Sequence, residues 1–261
     1  MKNLLKISSK YLIAHISIFI LVGCLQLVSA QSETTFKKAN DAYIAKKYQE
    51  AETLYLSIFE QGKTSATLCF NLGNCFFKQN DFSKAILWYE RAKRLTPSDE
   101  DIDFNLNVAR LKIVDKSEHI PVLFIVTWWK SFLHLFTAKT WAIVTLILFV
   151  LFLLMVAIFL FSQSINARKS SFFAFIGLFF LFTITSIAAW NQRGHILNKD
   201  EIIVMQPSCN VKSSPDDNST LLFVVHDGLK ATITDEIGEW IEIKLDNGTK
   251  GWIRSADVEV I

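Results

Sequence analysis

Two long uncharged runs constrain this chain more than any other feature of its sequence. Residues Thr140 to Ala167 and Ser170 to Gln192 contain no Asp, Glu, Lys or Arg over 28 and 23 positions. Within them, Trp141–Phe161 and Phe172–Trp190 are each long enough to cross a hydrocarbon core of roughly 30 Å as a helix. A tryptophan stands at one end of each, where aromatic belts form. The runs predict two transmembrane helices and exclude a simple soluble enzyme.

The segment that joins the two runs predicts their orientation. Residues Ser162–Ser171 include Arg168 and Lys169 and no acidic residue. Because cations in short loops favour the cytoplasmic side, we expect this loop to be cytoplasmic and both flanking domains to lie outside. The spans contain no ionisable side chain, whereas ion and proton pathways normally use such groups. The pattern therefore argues against a transporter.

The first 30 residues have the three parts of a secretory signal peptide. Lys2, Lys6 and Lys10 precede an apolar run, and Val28-Ser29-Ala30 is a small-residue cleavage pattern. Two alternatives stay open: Leu21–Cys24 resembles a lipobox that would make Cys24 a lipidated N-terminus, or the segment is an uncleaved anchor. All three place the chain from residue 31 onward outside the cytoplasm.

Charge and motif content exclude several classes of function. A net charge of +2 gives no basic field for nucleic acid. The histidines are scattered, and no HExxH, GxSxG or phosphate-loop pattern occurs. We therefore predict no enzyme, no cofactor and no metal site. Cys69 and Cys75 stand six residues apart on a predicted helix, about 9 Å along its axis, which is too far for a disulfide. We expect both to be buried between helices.

A repeat of 34 residues organises the N-terminal half. Shifting the sequence by 34 aligns Phe36 with Phe70 and Phe104, Asn40 with Asn74, and Tyr55 with Tyr89. Small residues recur where two helices would cross. The stretch Ala66–Asp99 resembles the tetratricopeptide repeat at most of its defining positions: Leu72, Gly73, Phe76, Ala85, Tyr89, Ala92 and Pro97. Residues 32–65 match more weakly, and 100–116 form a partial third unit, so the repeat domain is predicted over 31–116.

The resemblance implies a concave groove, lined by the first helix of each unit, that binds extended peptides. An Asn amide there can donate and accept hydrogen bonds along a peptide backbone, and Lys78 can bind a carboxylate. The alternative is that the Phe residues are core, the Asn residues polar surface and Lys78 a solvated lysine. By register the groove positions are Phe36, Asn40, Tyr43, Phe70, Asn74, Phe77, Lys78 and Phe104.

Residues 117–140 precede the first span and are too polar to cross a membrane. Trp128, Trp129 and Phe132 alternate with Lys130 and His134. This pattern favours an amphipathic helix in the membrane interface, with spans following at 141–161 and 172–190 around the 162–171 loop. The alternative is a helix that packs on the repeat as an extended cap.

The C-terminal residues 197–261 change to short alternating runs with turn signals. Five predicted strands and the Asp246-Asn247-Gly248 turn indicate a small barrel. The segments 211–215, 226–228, 238–243 and 248–253 resemble the bacterial SH3-like domain, whose members bind peptidoglycan or peptides. Trp240 and Trp252 are surface candidates by this resemblance, and packing of the barrel is the favoured alternative for both.

The order of these parts resembles the BatE family of the Bacteroides aerotolerance operon over essentially the full chain. The resemblance implies a multidomain membrane protein: an all-α tetratricopeptide solenoid, two transmembrane helices and a small all-β SH3-like barrel. It implies partners among other Bat-type membrane proteins, including von Willebrand factor A-domain proteins, beside the lipid bilayer. The implied place is a bacterial inner membrane, with both modules periplasmic.

Three functions fit this architecture. The first is a membrane-anchored scaffold that binds protein partners through the repeat groove. The second is an envelope anchor that binds peptidoglycan through the SH3-like domain. The third is an envelope stress sensor, for which a loop of about ten residues leaves little to signal with.

Overall fold

The computed structural model describes residues 33–116, 123–198 and 200–261. The predicted signal peptide, with Cys24, lies outside the described residues. The chain divides into two compact units, Met1–Thr64 and Ser65–Ile261. The division falls at the boundary between the first two predicted repeats.

The first unit contains a helical pair. Helix α1 covers residues 33–44, and helix α2 runs from Tyr48 to Glu60. Ala39 and Ala51 are fully buried, so the two backbones approach closely where large side chains would separate them. Lys46, with φ 63°, reverses the chain between the helices.

The second unit begins with three further helices: α3 (Ala66–Lys78), α4 (Phe82–Leu95) and α5 (Glu100–Arg110). Each starts at a side-chain cap, because Ser65, Asp81 and Asp99 accept hydrogen bonds from backbone N–H groups of the first turn. The burial predicted for Cys69 and Cys75 is confirmed.

Two long apolar helices follow, α7 (Ala138–Phe161) and α8 (Ile165–Leu197). Both are long and apolar enough to cross a membrane. They pack against each other as a hairpin, with ring centroids of Phe149 and Phe182 5.4 Å apart. Helix α8 begins well before the predicted span, so Arg168 and Lys169 lie in its first turns and only residues 162–164 are non-helical. The ends of an apolar run thus mark a change in polarity and not the ends of the helix.

Residues 117–122 of the predicted interval 117–140 lie outside the described residues. In the rest of it, the segment before the hairpin forms helix α6, from Phe124 to His134. Its apolar residues are mostly exposed, including Phe124 and Trp128. Its C-terminal end is fixed to the hairpin, because the carbonyl of Leu133 accepts hydrogen bonds from Trp141 Nε1 (3.0 Å) and Gln192 Nε2 (2.6 Å). The terminal carbonyls of a helix need such partners.

The C-terminal module is a seven-stranded antiparallel sheet in the order β3-β2-β6-β5-β4-β1-β7. One apolar cluster draws residues from strands near both edges, such as Val225 and Ile202, so the sheet curves around its core. Closure into a barrel stays a prediction. The strands are β1 (Glu201–Val204), β2 (Cys209–Lys212), β3 (Leu221–Val225), β4 (Lys230–Ile237), β5 (Trp240–Lys244), β6 (Lys250–Arg254) and β7 (Val258–Val260).

The count of five strands was wrong, because β2 and β7 are also present. These two strands have four and three residues. Runs this short carry too few alternations to stand out from a loop.

Candidate binding surfaces

The predicted groove residues of the first unit contact two tyrosines of the second helix. The ring of Phe36 meets Tyr55 edge-on at 5.5 Å, and the Tyr55 hydroxyl donates to Asn40 Oδ1 at 2.5 Å. Tyr43 packs against Tyr48 at 5.4 Å. These side chains therefore hold α1 and α2 together.

The second unit repeats this arrangement 34 residues later. The ring of Phe70 lies 5.8 Å from Tyr89, whose hydroxyl donates to Asn74 Oδ1 at 2.7 Å. Asn105 Nδ2 donates to the same oxygen at 3.0 Å. The Asn74 carbonyl is thus taken within the protein, whereas its Nδ2 group has no partner in the described part of the chain. Asn74 can donate to a bound peptide but offers no acceptor.

The other predicted groove positions of this unit differ in accessibility. Phe77 is half-buried and packs against Phe82 at 5.5 Å, whereas Lys78 is exposed. Phe104, on α5, is 68% exposed. In the second unit, a partner can therefore reach three groups of this set: Phe104, Lys78 and the Asn74 amide group.

Helix α4 contacts the sheet through a network of charged residues that the sequence did not predict. Glu90 is only 4% exposed and binds two cations, Arg110 from α5 and Lys230 from β4, the latter at 3.0 Å. Lys230 also contacts Glu201 of β1 at 3.0 Å, and Arg94 reaches the same carboxylate at 3.1 Å. A buried carboxylate is tolerated because it is paired and hydrogen-bonded.

Two arginines of α4 also cover the edge of the sheet. Arg91 donates to the carbonyl of Val260 at 2.6 Å, and Arg94 donates to the carbonyl of Ile261 at 2.6 Å. Edge strands expose unpaired backbone groups that invite other chains to pair. The arginines satisfy those groups at β7.

A turn of the sheet meets the end of the helical region in a third contact. His226 donates its backbone N–H to Asp115 at 2.6 Å, and its Nδ1 lies 3.0 Å from the same carboxylate. Gly228, with φ +84°, comes so near to Ile113 that a Cβ would lie 2.5 Å from its methyl carbon. The turn therefore needs glycine both for its backbone conformation and for this approach.

The two tryptophans proposed for the SH3-like surface lie in different environments. Trp252 is buried, in line with a packing role, whereas Trp240 is half-buried. The guanidinium of Arg254 lies 5.3 Å from the Trp240 ring centroid, and Lys212 Nζ lies 6.0 Å from it. Only Trp240 therefore presents an aromatic face, with cations above it.

Acidic residues hold Arg254 in place beside Trp240. Asp217 contacts the guanidinium at 2.5 Å and Glu239 at 3.6 Å. The hydrogen bond from Arg254 lowers the pKa of the exposed Asp217 carboxyl below its usual value. The result is an exposed cluster of one aromatic ring and mixed charges.

The buried thiols do not suit nucleophilic chemistry. Burial raises the pKa of both Cys69 and Cys209 to about 11, so each stays protonated at neutral pH. A reactive cysteine needs a lowered pKa. Among residues 33–116, 123–198 and 200–261, no group of three or more His, Cys, Asp or Glu residues is placed to hold a metal ion.

Two regions match known protein families. Residues 66–99 match the Tetratricopeptide repeat, and residues 207–259 match the Bacterial SH3 domain. No curated protein matches the chain. The first match coincides with α3 and α4, and the second spans β2 to β7. The chain therefore carries a tetratricopeptide repeat and a bacterial SH3 domain, separated by two helices that are long and apolar enough to cross a membrane.

Proposed function

We propose that this protein is a membrane-anchored scaffold without catalytic activity, whose repeat helices bind an extended segment of a partner protein. The proposal depends on one observation. The sheet packs on α4, while Lys78, Phe104 and the Asn74 amide group stay accessible on α3 and α5, the first helices of their repeats. A tetratricopeptide repeat suggests binding between proteins. The face formed by α4 therefore contacts the SH3 domain, and the face formed by α3 and α5 is accessible to a partner.

The proposed topology is a two-pass protein of a bacterial inner membrane. Contacts between α4 and the sheet support a placement of both modules at the same end of the hairpin formed by α7 and α8. A bacterial SH3 domain suggests an extracytoplasmic location, and residues 1–30 have the pattern of a signal peptide. Both modules are then periplasmic, and residues 162–164 lie on the cytoplasmic side.

The proposed partners are Bat-type membrane proteins, among them proteins with von Willebrand factor A domains. The order of the modules resembles the BatE family, which associates the chain with aerotolerance or envelope stress. Helix α6, with its exposed apolar side chains, would hold the repeats close to the membrane surface. Two modules on one anchor also raise each other's effective concentration toward a shared partner.

The test is copurification from gently solubilised membranes followed by mass spectrometry. Substitution of Asn74 is a poor probe, because its carbonyl accepts from Tyr89 and the repeat itself would suffer. The informative variant is Lys78→Ala with Phe104→Ala, which changes two exposed side chains. Its matched control is Lys112→Ala with Val114→Ala, an exposed lysine and an exposed apolar residue outside the predicted groove.

We expect von Willebrand-type membrane proteins to copurify with the wild type and the control and to fall at least tenfold with the Lys78/Phe104 variant. Recovery of these partners at the wild-type level by that variant would exclude the groove. Recovery of the protein alone would reject the scaffold.

A second candidate is binding of peptidoglycan through the exposed Trp240 cluster. Sugar rings stack on aromatic faces, and the cations Lys212 and Arg254 suit the carboxylates of stem peptides. The detergent-solubilised full chain should then sediment with purified peptidoglycan. Trp240→Ala should abolish sedimentation, and Lys244→Ala, an exposed lysine on the same strand, should not. A protein that stays in the supernatant contradicts this candidate.

A further inference from the structure

An apolar groove with a volume of about 660 Å³ lies between α7 and α8. It is lined by Ala142, Leu146 and Phe149 of α7 and by Phe182 and Ala189 of α8. Small alanines on both helices leave the space between the larger rings. The groove also includes two cations, Lys139 and Arg193.

The packing of the hairpin places these two cations at one depth. Phe149 faces Phe182, and Phe152 faces Phe179, so each step forward along α7 matches a step backward along α8. Continued to the end of the hairpin, this register sets Lys139 opposite residue 192. Lys139 and Arg193 therefore stand at the same level, at the mouth of a mostly apolar groove that also includes the hydroxyl groups of Thr145 and Ser186.

The two cations have no acidic counterpart. Both are exposed, and no acidic side chain among the described residues lines the groove or forms an ion pair with either. Trp190, which is 82% exposed, stands beside them at the depth where aromatic residues meet lipid headgroups. An anion at this depth would supply the negative charge that the described residues do not place beside these two cations.

The distribution of charge along the hairpin makes these cations unexpected. Three cations lie near the end of the hairpin that carries the folded modules: Lys130, Lys139 and Arg193. Two cations, Arg168 and Lys169, lie at the other end. A periplasmic end would be expected to carry fewer cations than the cytoplasmic one. The positive-inside rule therefore does not account for Lys139 and Arg193 at this end of the hairpin.

We propose that this groove binds one anionic phospholipid. The phosphate lies between Lys139 and Arg193, since guanidinium groups bind phosphate oxygens in a bidentate manner. One acyl chain lies along the groove, which opens directly to the hydrocarbon core. A transmembrane helix of a partner could also pack on alanines, but it would leave both cations unpaired. The site goes beyond the scaffold function and rests on the proposed placement of α7 and α8 in a membrane.

Native mass spectrometry of the full chain in detergent tests this site. The probes are phosphatidylglycerol and phosphatidylcholine with identical acyl chains. We expect the wild type to retain one phosphatidylglycerol and little phosphatidylcholine. Each cation near an anionic lipid contributes about 1 kcal/mol, so Lys139→Gln with Arg193→Gln should weaken retention about 30-fold. The matched control, Arg168→Gln with Lys169→Gln at the other end, should keep it.

A further variant tests the apolar part of the site while both cations remain. Ala142→Phe fills the groove and should also reduce retention of phosphatidylglycerol at least tenfold. Equal retention of the two lipids, or retention unchanged in the Lys139/Arg193 variant, would overturn the proposal. An equal loss in the control pair would show general surface attraction and overturn it too. So would a copurifying membrane protein that Ala142→Phe displaces while phosphatidylglycerol stays bound.

Discussion

At the scale of single residues, Gly73 packs directly against the ring of Tyr89. A Cβ at position 73 would lie 2.5 Å from Cδ1 and 2.6 Å from Cε1 of the tyrosine ring. The ring cannot move aside easily, because Tyr89 is buried and its hydroxyl binds Asn74. The glycine is therefore required by the helix crossing.

Gly73→Ala should destabilise the protein although alanine is the better helix former. The gain in helix propensity is about 1 kcal/mol, whereas overpacking of a tight core costs about 1 to 3 kcal/mol. We expect a net loss of about 1 kcal/mol in the free energy of unfolding, measured by denaturant titration in detergent. Gly194→Ala, with no heavy atom within 4 Å of the new Cβ, is the control and should match or exceed the wild type. A variant at position 73 as stable as this control would contradict the steric account.

The sequence predicted the crossing but not the hydrogen bonds that surround it. Gly73 and Tyr89 were predicted at the helix crossing from the spacing of the repeat. Asn40 and Asn74 were predicted to contact a peptide, yet both carbonyls accept from a tyrosine 15 residues later. That recurring spacing was present in the sequence. Its meaning depends on how the two helices cross, which periodicity alone does not determine.

At the scale of the elements, Gln192 joins α6 to the hairpin formed by α7 and α8. It is buried, and its Nε2 donates to the carbonyl of Leu133 at 2.6 Å. Gln192→Leu keeps the volume and removes the donor, which costs about 1 kcal/mol. We expect faster amide hydrogen exchange across 124–134, because the carbonyl of Leu133 loses one of its two hydrogen bonds to the hairpin.

Asn191→Leu is the control for this prediction, because the neighbouring side chain is exposed and makes no hydrogen bond to α6. Its exchange across 124–134 should equal that of the wild type. Unchanged exchange in Gln192→Leu as well would mean that Trp141 alone fixes α6.

The boundaries of elements were predicted less well than their types. The interval 117–140 was predicted as one helix, but in its described part, residues 123–140, the structure has α6 and then a turn before α7. Thr137 caps α7 by accepting from the backbone N–H of Thr140 at 3.3 Å, so a new helix starts there. Threonine is a cap only when the chain enters it in an extended conformation, and the hydrophobic pattern continues across that point without a break.

At the scale of the whole molecule, nothing in the sequence predicted that the sheet would dock on α4. Glu90 and Lys230 are 140 residues apart, and each resembles an ordinary surface charge in its own segment. Local patterns identify which face of an element is apolar. They do not identify which charged residues come into contact when the hairpin of α7 and α8 separates them in the sequence.

The network around Glu90 should decide whether the two modules move as one body. Removing the buried carboxylate is destabilising, because Arg110 loses its counterion and Lys230 keeps only Glu201. Glu90→Ala leaves Arg110 and Lys230 facing each other without it. We expect faster hydrogen exchange in α4, β1 and β4 and a lower unfolding midpoint in detergent.

The control is Glu100→Ala, which removes an exposed carboxylate from α5 and should change stability by no more than about 0.5 kcal/mol. If the hydrogen exchange and the unfolding midpoint of Glu90→Ala equal those of this control, the hydrogen bonds from Arg91 and Arg94 to the carbonyls of Val260 and Ile261 hold the sheet on α4 without the network. If Glu90→Ala separates the modules, the sheet stays tethered through α8. Copurification with that variant would then show whether a partner needs the fixed arrangement of both modules or only the open face of the repeat.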